Sequence, residues 1–201
     1  QGSLGLNDQA HRSSPTQIPG SWSSTYTASA AYHGHSHAIK TDGSLWGFGR
    51  NVYGQLGYNN RTDYSSPIQI GSGTDWKFVA HTQERAVGAV KTNGTLWMWG
   101  RQTYGALGLN GPANQSKSSP CQIPGTTWKN MSCGTYTSIA TKTDGTLWTW
   151  GDNRNGGLGH GNPTNQHRSS PTQIPGTTWD DVSAGQHFVA ATKTDGTMWV
   201  W

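Results

Sequence analysis

An all-β fold is the prediction for this chain of 201 residues, and three observations support it. A unit of about 51 residues recurs four times, each unit contains a turn that joins antiparallel strands, and the composition is unusual. Only 12% of the residues are charged, whereas 28 are Gly and 11 are Trp. Because a disordered chain would be poor in aromatic residues and rich in charge, these values indicate a packed protein.

The repeat is marked most clearly by a short aromatic motif. Its copies begin at Leu45, Leu96, Leu147 and Met198, at a constant spacing of 51 residues. A Gly-x-Leu-Gly connector and a Ser-Ser-Pro segment recur between these copies. Periods of this length are typical of propellers and other repeat architectures. We predict a single region over residues 1–201, with repeats at approximately 1–49, 50–100, 101–151 and 152–201.

Each unit is expected to form four short antiparallel strands. In the last unit these are residues 172–174, 179–184, 187–193 and 197–201, and Asp195-Gly196 forms a two-residue hairpin turn. Side chains alternate between the two faces of a strand, so the aromatic residues of the motif share one face, and the other face is also apolar. Such a strand lies between neighbouring sheets, as in stacked blades. The predicted core aromatic residues are Trp46, Phe48, Trp97, Trp99, Trp148, Trp150, Trp199 and Trp201.

Residues 142–159 carry the most specific version of the repeat. They contain Lys-Thr-Asp-Gly-Thr-Leu-Trp-Thr-Trp-Gly-Asp-Asn and end in Gly-Leu-Gly, which resembles the repeat of the regulator of chromosome condensation family. The resemblance covers essentially the whole chain and implies a β-propeller of four-stranded antiparallel blades. That family usually forms rings of about seven blades, so we expect the four repeats to be an arc of a longer ring. A closed four-bladed ring and a ring shared between chains are the alternatives.

The sequence contains no motif of a catalytic site. Glu84 is the only glutamate, and Asp42, Asp144 and Asp195 occupy hairpin turns. No Gly-x-Ser-x-Gly elbow and no phosphate-binding loop occurs. We therefore predict that the chain is not an enzyme and needs no cofactor.

The sequence lacks the residues that two specialised activities of the family require. Its exchange factors for a small GTPase add a wedge-like insertion, which these units lack. Its plant ultraviolet receptor uses Gly-Trp-Arg-His-Thr segments, and the corresponding residues here, such as 83–87 and 134–138, contain no Trp-Arg pair. The alternative function is that of an exchange-factor-like regulator of a small GTPase or of a chromatin binder, and the alternative location is intracellular.

Positive charge is concentrated in the connectors between the strands. Residues 1–12, 49–64, 100–117 and 151–168 hold seven basic and three acidic residues, which accounts for the whole net charge of +4. Because connectors emerge at similar places in every blade, we expect a repeated surface band that contacts a partner, since Arg and Tyr are favoured at interfaces. The predicted band is Arg50, Tyr53, Arg61, Tyr64, Arg101, Tyr104, Lys117, Arg154 and Arg168.

A run of alternating histidines is the one candidate metal site. His33, His35 and His37 would project from one face of a strand, where imidazoles can bind zinc, nickel or copper. No Cys or carboxylate adjoins them in sequence to complete a site. Surface histidines, or histidines that line a channel, are the alternative interpretation.

The composition leads to a prediction of role and location. Low charge with abundant Gly, Ser, Thr, Asn and Trp favours a non-catalytic binding or structural propeller, extracellular, on a cell surface or in a virion, as in a tail fibre or decoration protein. The expected partners are a protein or a glycan, bound through several weak contacts. Self-association or the remainder of the same chain would close the ring. Nucleic acid is not expected, because the charge is sparse, and neither is membrane insertion.

Overall fold

The chain forms a series of antiparallel β-sheets, as a computed structural model shows. The structure describes residues 2–30, 34–112, 114–161 and 165–201, which contain strands and turns and no helix. It follows that no helix in these ranges could cross a membrane.

The strands form four sheets. The first two sheets comprise β1 (Trp22–Ala30), β2 (His35–Lys40), β3 (Leu45–Gly49) and β4 (Tyr64–Gln69), then β5 (Trp76–His81), β6 (Ala86–Lys91), β7 (Leu96–Gly100) and β8 (Lys117–Ile123). The others comprise β9 (Trp128–Cys133), β10 (Thr137–Lys142), β11 (Leu147–Gly151) and β12 (Arg168–Ile174), then β13 (Trp179–Ala184), β14 (Val189–Lys193) and β15 (Met198–Val200).

Within each sheet the strands pair in the order in which they occur along the chain. The first strand of each sheet packs on the first two strands of the preceding sheet: β5 on β1 and β2, β9 on β5 and β6, and β13 on β9 and β10. The sheets are therefore stacked blades, which confirms the predicted all-β propeller architecture.

The hairpin turn between the second and third strands is the same in every blade. Asp144 Oδ1 accepts hydrogen bonds from the amide and the hydroxyl of Thr146, at 3.0 and 2.7 Å. The Thr146 hydroxyl in turn accepts the indole N–H of Trp148 at 2.9 Å. Gly145 follows with a φ of +77°, a backbone conformation that glycine adopts at no steric cost. The Asp-Gly turn predicted from sequence is thus also an anchor for a tryptophan.

The grouping of strands into blades differs from the one expected for the last unit. The Ser-Ser-Pro strand β12 pairs with β11, so it is the fourth strand of the third blade and does not pair with β13. The fourth blade accordingly has three described strands, β13–β15. The reason is that the connector after β11 reverses the direction of the chain. The Ser-Ser-Pro segment that follows the connector therefore runs antiparallel to β11 and pairs with it.

The predicted aromatic residues differ in burial. Trp99 and Trp150 are fully buried, and Phe48 is 6% exposed. Trp46, Trp97, Trp148 and Trp201 are half-buried. Trp199 is 50% exposed, and the other two residues of β15, Met198 and Val200, are also exposed.

Buried tryptophans fix the connector of the preceding blade. The indole of Trp99 donates to the Gln55 carbonyl at 2.8 Å, and Trp150 donates to the Ala106 carbonyl at 2.9 Å. The connector leucines Leu56, Leu107 and Leu158 are completely buried. Each connector is therefore held at two points, a hydrogen bond and an apolar side chain, and its exposed residues have a defined position.

Connectors also contact the outer strand of the next blade. Gly54 has a φ of +76°, and a Cβ at this position would lie 2.4 Å from Cα of Ser118. The amide of Asn59 donates to the Ser118 carbonyl at 2.7 Å. Gly105 and Asn110 make the equivalent contacts with Ser169. The glycine requirement of the connector is thus a consequence of blade-to-blade packing.

Candidate binding surface

One end of the blades carries the connectors and the turns between the first and second strands. The amide of Arg50 donates to the Gly34 carbonyl at 2.9 Å, and the amide of Arg101 donates to the Arg85 carbonyl at 3.0 Å. In the third blade the amide of Asp152 donates to the Tyr136 carbonyl at 3.2 Å. We call this end the connector face; it comprises residues 49–64, 100–112 and 151–161 with the turns 82–85 and 134–136.

Two arginines contact one tyrosine ring on this face, and a third arginine lies nearby. The guanidinium carbons of Arg85 and Arg101 each lie 4.9 Å from the centre of the Tyr53 ring. Arg101 also forms an ion pair with Glu84 at 2.6 Å. Arg50 adjoins Arg85, and its buried Nε has no hydrogen-bond partner in the structure. We call Arg50, Arg85, Arg101 and Tyr53 the arginine cluster.

A second cluster continues the face on the next blade. Arg154 lies 4.4 Å from the ring centre of Tyr104 and 5.5 Å from that of Tyr136. Asp152 pairs with Arg154 at 2.8 Å and with His167 at 3.1 Å. The two tyrosine rings are 5.2 Å apart and perpendicular. The side chains of this tyrosine cluster are therefore mutually supported.

Electrostatic interactions connect the two clusters. Burial raises the pKa of Tyr136, nearby Glu84 also raises it, and Arg101 of the arginine cluster lowers it. Burial and the neighbouring Arg50 lower the pKa of Arg85. The hydrogen bond to Asp152 raises the pKa of Arg154. Four arginines (50, 85, 101 and 154) face two carboxylates (84 and 152) here, a difference of +2, so the joined clusters are basic.

The predicted band is only partly assembled. Arg50, Tyr53, Arg101, Tyr104 and Arg154 meet in the two clusters. Tyr64, Lys117 and Arg168 instead begin the outer strands β4, β8 and β12, and Arg61 is exposed in the loop before β4. The band therefore separates into a cluster region and an outer rim.

Two residues of the face, Arg85 and Tyr136, were missing from the sequence prediction. They lie in the turns within residues 83–87 and 134–138, which the sequence places at equivalent positions of two units. Their equivalent positions in the repeat could have pointed to them, because a turn at the same end of the blade as the connectors contributes to the same face. Charge counting within the connectors alone could not find them.

The predicted histidine site is rearranged by the fold. His33 lies outside the described residues, whereas His35 and His37 are each 1% exposed. Their side chains project towards the second blade, where His81 Nε2 lies 2.8 Å from His37 Nδ1. In the part of the chain that the structure describes, no group of three His, Cys, Asp or Glu residues is arranged to hold a metal ion. We propose no metal site.

Repeated clefts lie at the rim of the blades. Those beside Trp22, Trp76 and Trp128 have volumes of about 560, 510 and 570 Å³. In the third, the Lys142 ammonium lies 4.5 Å from the Trp128 ring and 4.3 Å from the Trp148 ring. The same lysine contact recurs in the other blades. A lysine of the chain itself thus already lies over the tryptophan rings of these clefts. Less aromatic surface is therefore left there to bind a ligand, and we consider the connector face the better candidate.

Comparison with known proteins identifies the repeat. A family model described as the regulator of chromosome condensation (RCC1) repeat matches residues 42–81, 93–141 and 144–192. The human E3 ubiquitin-protein ligase HERC2 is 31% identical over 180 residues, which is 83% of this chain and 4% of that protein. The ultraviolet-B receptor UVR8 of Arabidopsis thaliana is 26% identical over 206 residues, 99% of this chain and 46% of the receptor.

A solved structure shows the same fold. Prp20p from Saccharomyces cerevisiae superposes with a TM-score of 0.69 at 21% identity, over 78% of this chain and 41% of Prp20p. The chain thus spans less than half the length of each of these relatives. They are intracellular proteins, so the expected extracellular, cell-surface or virion location, as a tail fibre or decoration protein, is wrong.

Proposed function

This chain belongs to the regulator of chromosome condensation (RCC1) repeat family, and we propose that it is a non-catalytic propeller module that binds and regulates a partner protein through its connector face. The observation that carries the proposal is the continuous set of arginine and tyrosine side chains from three consecutive blades.

The residue types on the connector face suit an interface. Arginine and tyrosine are enriched among the residues that dominate binding free energy in protein complexes. Stacking of Arg85 and Arg101 on Tyr53, and of Arg154 on Tyr104, restricts these side chains before a partner arrives. Because less side-chain entropy is then lost on association, a preorganised face binds more tightly than the same residues on mobile loops.

The relatives support a protein partner. The structure of Prp20p is described together with its binding to Gsp1p and histones, and a further structure shows Kap60 bound to that protein. The basic character of the connector face favours a partner with an acidic surface, since complementary charge speeds association and excludes like-charged proteins.

The test is a comparison of two variants with matched charge. Arg101→Gln/Arg154→Gln removes two cations from the connector face, whereas Lys77→Gln/Lys129→Gln removes two exposed cations from β5 and β9. Each protein is immobilised, incubated with an extract of the source cells, and its captured proteins are quantified by mass spectrometry. We expect proteins that the wild-type chain retains to be lost from the connector-face variant and kept by the strand variant.

Equal capture by both variants would contradict the proposal, as would the absence of any protein retained above background by the wild-type chain. Circular dichroism of both variants provides the folding control, because the loss of Arg154 leaves Asp152, 8% exposed, without that ion pair.

Regulation of a small GTPase is a second candidate, because the resemblance to the RCC1 repeat family implies exchange activity of this kind and the structure of Prp20p, which has the same fold, is described together with its binding to Gsp1p. The test measures release of a fluorescent guanine nucleotide from Gsp1p with and without excess chain. Faster release would support the candidate, and an unchanged rate would exclude exchange activity on this GTPase.

A further inference from the structure

We infer that Arg85 and Arg101, held at the ring of Tyr53, and the nearby Arg50 bind carboxylate side chains of an acidic segment in the partner protein. The inference rests on the proposed function and adds to it the chemical class of the ligand.

The geometry of the cluster suits a carboxylate. The guanidinium groups of Arg85 and Arg101 lie at equal distances of 4.9 Å from the Tyr53 ring centre. A guanidinium group is planar, and its N–H donors lie in its own plane. When the flat face of the group stacks on an aromatic ring, these donors stay available to other acceptors. Planar donors of this kind form two parallel hydrogen bonds with one carboxylate. The two guanidinium groups therefore bring several donors of this kind to one place on the face.

The chain already contains an example of the recognition. Glu84 places its carboxylate 2.6 Å from the Arg101 guanidinium, with both side chains about a quarter exposed. The charge of Glu84 also acts on Arg85. Arg50 contributes a buried Nε–H that has no acceptor. An acidic segment of a partner would supply acceptors of the type that Glu84 supplies to Arg101.

The backbone at Arg85 also indicates a specific role for this side chain. Its φ is +74°, a left-handed conformation that is unfavourable for residues other than glycine. In the first blade the equivalent position, which accepts the amide of Arg50, is Gly34 with a φ of +62°. Arginine in place of glycine here retains the strained backbone and adds a cation to a site where burial and Arg50 already lower its pKa. The unfavourable charge proximity is relieved when an anion binds.

The experiment uses purified chain and fluorescein-labelled oligoglutamate as the probe. Fluorescence anisotropy gives its dissociation constant with the wild-type chain, with Arg50→Gln/Arg85→Gln, and with Arg61→Gln. Gln at position 85 faces the same backbone strain as Arg, so the fold is not penalised further. Arg61 is an exposed connector cation outside the cluster, and its removal controls for charge alone. We expect the double variant to weaken binding about tenfold or more and Arg61→Gln to change it less than about threefold.

Three further measurements make the outcome unambiguous. Oligoglutamine of the same length should not bind, because it lacks carboxylates. Arg50→Lys, which keeps the charge and loses the planar donor pair, should weaken binding partially. A single-stranded oligonucleotide should bind more weakly than oligoglutamate, because the cationic charge is limited to one cluster.

Equal weakening by Arg61→Gln and by the double variant would overturn the inference, and so would tighter, cluster-dependent binding of the oligonucleotide. Absence of oligoglutamate binding overturns it as well. If proteins from the extract are nevertheless captured through the connector face, the proposed function stands without this inference.

Discussion

At the scale of single residues, the histidines of the first blade differ most between sequence and structure. Alternation along β2 puts His35 and His37 on one face, as the sequence predicts. That face packs against the second blade, where His81 lies 2.8 Å from His37. Burial is the main cause that lowers the pKa of His37 well below its ordinary value of 6.5, and the nearby His35 lowers it further. Burial and, to a lesser extent, His37 lower the pKa of His81 in the same way. Both imidazoles are neutral in the folded chain at neutral pH.

This burial predicts a loss of stability in mild acid. In the unfolded chain both histidines take up protons as the pH falls below about 6.5, whereas in the folded chain they do not, so the unfolded state is favoured. The free energy of unfolding should be nearly constant between pH 7 and 8 and should fall by about 1–3 kcal/mol between pH 6.5 and 5.5. Urea unfolding at several pH values measures this change in the free energy of unfolding.

His81→Gln should reduce this slope to about half, because one titrating group is removed, and substitution of the exposed His187 by Gln is the control. A stability that does not change from pH 7 to 5.5 would show that these histidines are not buried in solution.

The arginine cluster shows how much of the site the sequence can predict. Arg50 and Arg101 occupy equivalent positions at the start of two connectors, so repeat alignment and charge counting find them. Arg85 comes from a turn in which the equivalent first-blade residue is Gly34, and no pattern in the connectors points to it. Its contact with Tyr53 depends on the neighbouring blade, and this packing is not encoded in local spacing.

At the scale of elements, the hairpin turn links local sequence to blade packing. Gly145 has a φ of +77°, and a Cβ there would lie 2.0 Å from the Thr177 carbonyl oxygen. Gly196 fills the same turn position with a φ of +82°, but a Cβ there would meet nothing within 4 Å. The two positions share the backbone conformation and differ in the neighbouring segment.

This difference predicts unequal effects of the same substitution. Gly196→Ala should cost about 1–2 kcal/mol, because only the left-handed conformation opposes a side chain. Gly145→Ala should cost at least about 1 kcal/mol more, because the methyl group also displaces the 177–178 backbone. Gly94→Ala, whose Cβ would lie 2.2 Å from the Thr126 carbonyl oxygen, should match Gly145→Ala. Urea unfolding of the three variants measures the costs, and equal costs would refute the packing role.

Element boundaries were predictable where a repeat and a turn signal coincide. The third strands and their Asp-Gly or Asn-Gly turns lie where the sequence puts them. The blade to which each Ser-Ser-Pro strand belongs was not predictable, because periodicity fixes spacing and leaves the choice of partner open. That choice is made by the connector, which is held by a buried leucine and a tryptophan hydrogen bond.

At the scale of the molecule, the described blades have two chemically different ends. The hairpin-turn end presents Asp-Gly turns whose carboxylates are satisfied by their own backbone and hydroxyl groups. The connector face presents arginines and tyrosines from successive blades. The arrangement of equivalent connectors side by side lets a partner contact several blades at once, so individually weak contacts add.

Site-specific photo-crosslinking compares the two ends most directly. A photoreactive phenylalanine analogue replaces Val52 or Asn155, which are exposed on the connector face, or Thr92 or Thr143, which are exposed at the hairpin-turn end. Each chain is irradiated in an extract of the source cells, and its covalent adducts are identified by mass spectrometry. The connector-face role predicts the same partner protein in adducts from positions 52 and 155 and not from 92 and 143. Adducts formed from positions 92 and 143, with none from 52 and 155, would contradict it.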